Sequence, residues 1–317
     1  MSAPFDDLRQ VFSQLPTGDT CAAKKITQYA AEKNLSEDDE LLSIKSWLST
    51  WQGTATPSVA EAHICILASS YEGHENSAVK ALISAAAKGS APVNRLCIDQ
   101  GVGLRVLELA PEIPHKLGME GWTEAECMAA VAFGMEATAA GGDLLALSDI
   151  APGNKASALA IVATCSKGES AAILEQFAGD KQYSEVIQQA KQLEAKQLGA
   201  KLLEASLPED QGANALSIMQ LLGGREIAAS VGALIAARSR RLPVLVDGWA
   251  GLAAIAIMEH QQVGSSDHVK LASCDCDLAV EMASLVGKKP LLSLNVATGP
   301  GCGSAISVTI LKAACDI

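Results

Sequence analysis

Aromatic side chains are scarce in this chain. They make up only 3% of 317 residues, so any core must be assembled from Ala, Leu, Val and Ile. Positive charge is also short: 24 Lys and Arg stand against 36 Asp and Glu, a net charge of −12. That balance argues against nucleic acid and anionic membrane surfaces as partners, since both demand a basic face. An anionic small molecule would need a local exception built from backbone N–H groups or a few basic residues. No run is long and apolar enough to span a bilayer, and the Ala-rich stretch from Ala129 to Leu147 is interrupted by Glu136 and Asp143. The N-terminus, Met1-Ser-Ala-Pro-Phe-Asp-Asp-Leu8, has neither a basic nor an apolar signal region. The nine cysteines are odd in number and scattered, which reads as reduced thiols rather than a disulfide framework. Together these features predict a cytoplasmic protein. There is no internal repeat, no low-complexity linker, no P-loop, no complete dinucleotide fingerprint and no Ser-His-Asp signature.

Hydrophobic residues form 49% of the chain, enough for a sizeable core. Residues 1–60 read as helical, with Leu8, Val11, Phe12 and Leu15 on one face and Ser36 as the N-cap of a helix opening on acidic residues. Strand-length apolar runs follow at His63–Ala68, Leu144–Leu147, Val244–Val246, Val269–Ala272 and Leu291–Leu294, and Leu104–Leu109 alternates apolar residues with Arg105 and Glu108 as a strand can. Helical patterns lie between them: Ala78–Lys88 stopped by Gly89, Glu124–Thr138 stopped by Gly141-Gly142, and a polar, exposed helix over Tyr183–Ala205. Strands alternating with helices predict an α/β fold, doubly wound around a mainly parallel sheet with helices on both faces.

The densest pattern runs from Leu222-Gly-Gly-Arg-Glu226 to Leu242-Pro-Val-Leu-Val-Asp-Gly-Trp249. Two glycines precede a helix whose Ile227, Val231, Leu234 and Ile235 recur at helical spacing. A short buried strand then ends in Asp247-Gly248, and the carboxyl ends of strands are where open α/β sheets bind ligands. Gly223 and Gly224 would allow a positive φ or a close approach to a ligand. A second candidate anion site is Gly153-Asn154-Lys155, after a strand and at a helix start, where backbone amides and a lysine could hold phosphate. The bland alternative is a turn with a solvated lysine. Asp149, just before that turn, reads either as a site carboxylate or as a capping aspartate. Gly299, Gly301 and Gly303, spaced with Pro300 and Cys302, form a third glycine-rich loop. Cys274-Asp-Cys276 cannot close a tetrahedral site alone, so no metal is expected. His74 with Glu72 and Glu75 reads as a solvated loop, and His260 and His268 as isolated surface or core residues.

These segments, in order, resemble the nicotinate-nucleotide–dimethylbenzimidazole phosphoribosyltransferase family. Trp47–Gly53, Phe133-Gly-Met-Glu-Ala137, Gly141-Gly-Asp-Leu-Leu145, Lys288-Lys-Pro-Leu-Leu292 and Gly299–Gly303 add to the match. The resemblance implies phosphoribosyl transfer from nicotinate mononucleotide to a benzimidazole-type base, in assembly of the lower ligand of cobalamin, with no cofactor. It implies a small helical subdomain from both termini (1–60, with the last helix packing on it) beside an α/β core (61–317). It also implies a nucleotide and an aromatic base as small-molecule partners, and a dimer, either of this chain or with a related subunit. On the resemblance, Asp149 takes the place of a family glutamate and supports the sugar. Gly153, Asn154, Lys155, Gly223, Gly224, Asp247, Gly299, Gly301 and Gly303 bind substrate. Departures stand beside these matches. Lys155 and Ala156 replace two threonines, and Pro300 falls where the family's base, a glutamate, is expected. Two readings stay open: an active transferase, or an inactive relative acting as a nucleotide-binding or partner subunit.

Overall fold

The three inner strands of the sheet bury both faces, and this explains their continuous apolar runs. The computed structural model describes residues 4–36, 39–118, 121–166, 169–204 and 214–317, with the side chains of 197–204 outside that set. The strands are β1 (Ala62–Ala68), β2 (Gly103–Glu108), β3 (Leu144–Ile150), β4 (Val244–Asp247) and β5 (Val269–Ser273). They form one sheet in the order β2-β1-β3-β4-β5, and every pairing is parallel. The doubly wound fold read from the sequence is the one observed.

Helices α1 (Pro4–Ser13), α2 (Thr20–Glu32) and α3 (Glu40–Gln52) precede β1. The β1–β2 crossover carries α4 (Ser77–Ala87) and α5 (Pro92–Gln100). The β2–β3 crossover carries α6 (Glu124–Met135) and a 3-10 turn at Glu136–Thr138. Between β3 and β4 lie α7 (Asn154–Cys165), α8 (Ser170–Ala178), α9 (Ser184–Glu204), α10 (Ala215–Leu222) and α11 (Arg225–Ser239). Helices α12 (Trp249–Gln261), α13 (Asp277–Leu285) and α14 (Cys302–Asp316) complete the chain.

The period-two alternation of the strands divides the core. Cys65, Leu67, Leu145, Leu147, Val244 and Val246 face a large cluster with α6, α7, α10, α11, α12 and α13. Ile64, Ile66, Leu144, Ala146 and Leu245 face a smaller cluster with α3, α5 and α14. The N-terminal helices meet the end of the chain, where the Lys45 ammonium is bound by the Cys315 and Ile317 carbonyl oxygens and Ile317 packs beside Ile26, Ala30 and Leu42.

Local readings differ from the structure in three places. Asp39, not Ser36, caps α3, accepting the Leu41 and Leu42 amides at 2.8 and 3.1 Å. A carboxylate adjacent to the helix start outcompetes a hydroxyl three residues earlier. The Leu291–Leu294 run is not a strand. Only Pro290 bridges to Leu271, and the Leu291 and Leu292 amides donate to Leu271 and Ala272 before the chain leaves the sheet edge. Helix α9 is polar on one side only, since Ile187 and Ala190 are buried in the large cluster.

Candidate active site

The carboxyl ends of β3, β4 and β5 open into a cavity of about 680 Å³, within the range of small-molecule sites. Its floor carries two aspartates that end adjacent strands. Asp149 Oδ1 accepts the Ala250 amide at 3.0 Å, and its Oδ2 accepts the Asn154 side-chain amide at 2.5 Å. Asp247 Oδ1 accepts the Ser273 hydroxyl at 2.9 Å, and its Oδ2 accepts the Ser304 amide at 3.0 Å. Each carboxylate therefore sits against a helix N-terminus, Asp149 at α12 and Asp247 at α14, where the dipole favours negative charge.

Glycines make that approach feasible. Gly248 has φ +131°, and a Cβ there would lie 2.2 Å from Asp149 Oδ1. A Cβ on Gly303 would lie 2.0 Å from Ser273 Oγ and 3.0 Å from both Asp247 oxygens.

Despite these hydrogen bonds the two aspartates resist ionisation. Burial, and next the Glu226 carboxylate, push Asp149 up to about 7. Burial also raises Asp247. Part of the Asp149 side chain opens to the cavity, so its carboxyl is poised near neutrality where a substrate proton could reach it.

The wall is built from three groups. Asp275 Oδ2 meets the Lys155 ammonium at 2.5 Å, and its Oδ1 accepts the Trp249 indole N–H at 3.1 Å. The ammonium also lies 5.7 Å from the Trp249 ring centroid. Burial works to raise Asp275, but Lys155, with help from Cys276 and Trp249, outweighs it and the net shift is downward. Gly153, with φ +99°, is the N-cap of α7, and no side chain caps that helix. His74 stands across from it, so that a Cβ on Gly153 would lie 2.6 Å from the His74 ring.

Seven residues singled out in the sequence line this cavity: Asp149, Gly153, Asn154, Lys155, Asp247, Gly299 and Pro300. The other four glycines lie behind it. Gly223 and Gly224 have φ −92° and −97°, so neither needs the left-handed region. A Cβ on Gly223 would press on the Met219 carbonyl at 2.5 Å, and one on Gly224 would press on the Tyr71 hydroxyl at 2.2 Å. The Gly301 amide donates to Ser148 Oγ at 2.8 Å, and Gly303 faces Ser273 and Asp247. Amides that the sequence offered for phosphate are thus held by the protein's own side chains at α14, whereas those at α7 are not capped by any.

Trp249, Ser273, Asp275 and Glu185 also line the cavity and were not singled out, and His74 reaches it from its loop. Asp275 and Ser273 lie in the Cys-Asp-Cys segment, whose interest is its aspartate. Burial pushes Cys274 up to about 12 and Cys276 up to about 11, and among the described residues no cluster fit for a metal ion is found. Burial raises Cys302 as well, leaving it a thiol.

A family described as "Phosphoribosyltransferase" matches residues 26–317. The chain is 32% identical to nicotinate-nucleotide–dimethylbenzimidazole phosphoribosyltransferase from Agrobacterium fabrum, with 98% of this chain and 91% of the relative covered. It is 31% identical to the enzyme of the same name from Brucella melitensis, with 98% and 93% covered. Its fold is similar to the crystal structure of the Thermus thermophilus protein of that name, with TM-score 0.73, 19% identity, and 96% and 94% coverage. A second Thermus thermophilus structure, named CobT, gives TM-score 0.74 at 20% identity, with 96% and 95% covered. With residues 26–317 matched by the family and almost the whole chain aligned above 30% identity, the protein belongs to the nicotinate-nucleotide–dimethylbenzimidazole phosphoribosyltransferase family.

Proposed function

We propose that the chain transfers the phosphoribosyl group of nicotinate mononucleotide to a ring nitrogen of a benzimidazole-type base, releasing nicotinate, in assembly of the cobalamin lower ligand. The observation that carries this reading is Asp149. It is a carboxyl group raised to about 7 on the floor of a nucleotide-sized cavity whose rim includes Pro300, the position expected to hold the family's base. A base near the working pH is the best compromise between being deprotonated and being a strong acceptor.

In the step itself the lone pair of one ring nitrogen attacks C1′ of the ribose. The C1′–N bond to nicotinate breaks, and its electron pair returns to the pyridine ring. The proton on the other ring nitrogen of the attacking base passes to Asp149, which becomes neutral. Before that, the Asp149 anion favours positive charge developing on the sugar. The uncapped start of α7, with Gly153, Asn154 and Lys155, suits the 5′-phosphate. Asp247 fixes the start of α14 beside the site, and Gly299 and Pro300 border it. Gly223, Gly224, Gly301 and Gly303 serve the site from behind by letting helix starts approach the groups that line it. A cytoplasmic dimer, of this chain or with a related subunit, belongs to the same reading.

The test mixes purified protein with nicotinate mononucleotide and dimethylbenzimidazole and seeks ribazole phosphate by chromatography. Product is expected, and Asp149→Asn should lower its rate by about 10²–10⁴-fold, as for loss of a general base. Absence of product, with calorimetric binding of nicotinate mononucleotide retained, would replace the reading with that of an inactive binding subunit.

A further inference from the structure

Behind the cavity floor lies a carboxyl group that the transfer step leaves unused. Glu226, in the first turn of α11, is fully buried, and its Oε1 accepts the Tyr71 hydroxyl at 2.6 Å. Its Oε2 has no hydrogen bond of good geometry, although the Ser69 hydroxyl lies near enough to favour the anion. The adjacent Arg225 guanidinium is engaged elsewhere, donating to the Ile113 carbonyl at 2.6 Å and reaching that of Ala110 at 3.5 Å. A buried carboxylate without a paired cation is costly, and the fold has made specific room for this one. The glycine at 224 provides that room. A Cβ there would lie 2.2 Å from the Tyr71 hydroxyl and 2.9 Å from Glu226 Oε2. The second glycine of the Leu222–Glu226 motif is thus clearance for a Tyr–Glu pair.

The pair is tied to the site through the sheet. Tyr71 follows β1, which pairs with β3 so that Leu67 lies opposite Asp149, and the Ser69 amide donates to the Ile150 carbonyl at 3.0 Å. After burial, Glu226 is the strongest influence raising Asp149, ahead of Asp247; Asn154 and the Ala250 amide oppose both. On Glu226 itself burial acts upward, while Tyr71, Ser69 and, more weakly, Arg225 act downward. His115 packs edge-on to Tyr71 at 6.0 Å between centroids, and burial and Arg225 hold it down at about 4, so it brings no charge at neutral pH.

We infer that Glu226 is a positioning residue acting through Asp149: its buried carboxyl, held by the Tyr71 hydroxyl behind the cavity floor, sets how readily Asp149 takes up the proton during transfer. Glu226 touches neither substrate nor the reacting atoms. The inference rests on the role given to Asp149 above.

The experiment compares Glu226→Gln and Tyr71→Phe with the wild type, reading the pH profile of kcat/KM. Glu226→Gln should move the acid limb to lower pH. At a pH on the wild-type limb the variant should then keep about tenfold more of its own plateau rate, while the plateau itself falls. Tyr71→Phe, the gentler variant should Glu226→Gln not fold, lets Glu226 protonate more readily and should move the limb the same way by less. A merely packing role would lower the plateau and leave the limb in place, and that result overturns the inference. A readout independent of turnover is an infrared titration of the protonated carboxyl band of Asp149, assigned by its loss in Asp149→Asn. A midpoint lower in Glu226→Gln than in wild type supports the coupling even if the protein makes no product, and an unmoved midpoint rejects it.

Discussion

The two ends of the sheet treat buried charge in opposite ways. At the N-terminal ends of the strands, cations meet backbone oxygens. Arg238 donates to the carbonyls of Pro16, Gly264 and Ser265 at 3.0, 2.7 and 3.1 Å and stacks 4.8 Å from the Trp51 centroid. Lys288 donates to Ser266 and Val269. Glu259 accepts the Gly264 and Ser266 amides. The indoles of Trp47 and Trp51 both donate to the Asp267 carbonyl. At the C-terminal ends, Asp149, Asp247 and Glu226 gather without a cation bonded to any of them, and all three are raised. Asp275, farther out, has Lys155. The lower network fits a device for stability, because its charged groups Arg238, Glu259 and Lys288 are each hydrogen-bonded. The upper cluster stores unfavourable charge beside an open cavity, the pattern expected where protonation is put to use.

Glycine substitutions test that division most severely. Gly248→Ala, at the upper end, combines a disfavoured φ with a methyl group driven into Asp149. It should cost about 3 kcal/mol of stability and remove most activity by displacing the carboxylate. Gly264→Ala, at the lower end, also has a positive φ of +77°, but its Cβ meets only Asp267 Oδ2 at 3.2 Å. It should cost about 1–2 kcal/mol and leave the rate per folded molecule unchanged. Denaturant titrations with rates normalised to folded protein would show it. Equal loss of specific activity in both variants would erase the distinction between the two ends.

The sequence exposed much of the upper end and little of its electrostatics. Strands were legible because Ile64–Ala68 and Val244–Val246 are apolar on consecutive residues over no more than strand length, as a strand buried on both faces requires. Asp149, Asp247 and Gly153 were legible because they end such strands or open the next helix. Glu226 was not, because an acidic residue in the first turn of a helix ordinarily reads as a solvated partner of the dipole. The signal against that reading was available: from Ile227 to Ala237 the helix carries no charge, so a wholly buried helix was to be expected and Glu226 with it. Tyr71 and Asp275 come from the segments after β1 and β5, far apart in sequence, and no spacing along the chain reveals a site assembled by strand order. The sixth strand-like run makes one bridge at Pro290 and two amide bonds from Leu291 and Leu292 before leaving the sheet edge, and an apolar run does not by itself tell a paired strand from a covering segment.

Opposed pH responses are the next consequence. Burial holds His268 down to about 3 from 6.5, so the folded state refuses a proton that the unfolded chain accepts. Its effect on stability is absent above pH 6.5 and grows unfavourable as pH falls toward 3. Asp149 is raised from 3.8 to about 7, so its effect grows unfavourable as pH rises through that window. Between pH 7 and pH 5, wild type should lose about 2 kcal/mol relative to His268→Gln. His268→Gln will be less stable at pH 7, because it forfeits the edge contact with Trp51 at 5.5 Å, but its acid slope should be flatter. Asp149→Asn should flatten the opposite slope, between about pH 4 and 7. Urea unfolding across pH reads both, and parallel slopes in wild type and variant would reject the assignment for that residue.

The smallest effect concerns the Lys155–Asp275 ion pair at the upper end. Lys155 and Asp275 are partly solvated, with side chains 51% and 31% exposed, so their bond contributes under about 1 kcal/mol to stability. Its influence on ligands should be larger than its influence on the fold. With Asp275 in place the ammonium is already satisfied, and an incoming phosphate must compete for it against a fixed anion. Asp275→Asn would free Lys155 while an amide oxygen still accepts the Trp249 indole. Calorimetry should then show nicotinate mononucleotide binding about threefold tighter at low salt, with the gain shrinking as ionic strength rises. Weaker binding in that variant would mean that Asp275 itself holds part of the nucleotide. The outer pair would then belong with Asp149 and Asp247 as substrate machinery, and the upper end would contain no purely structural charge.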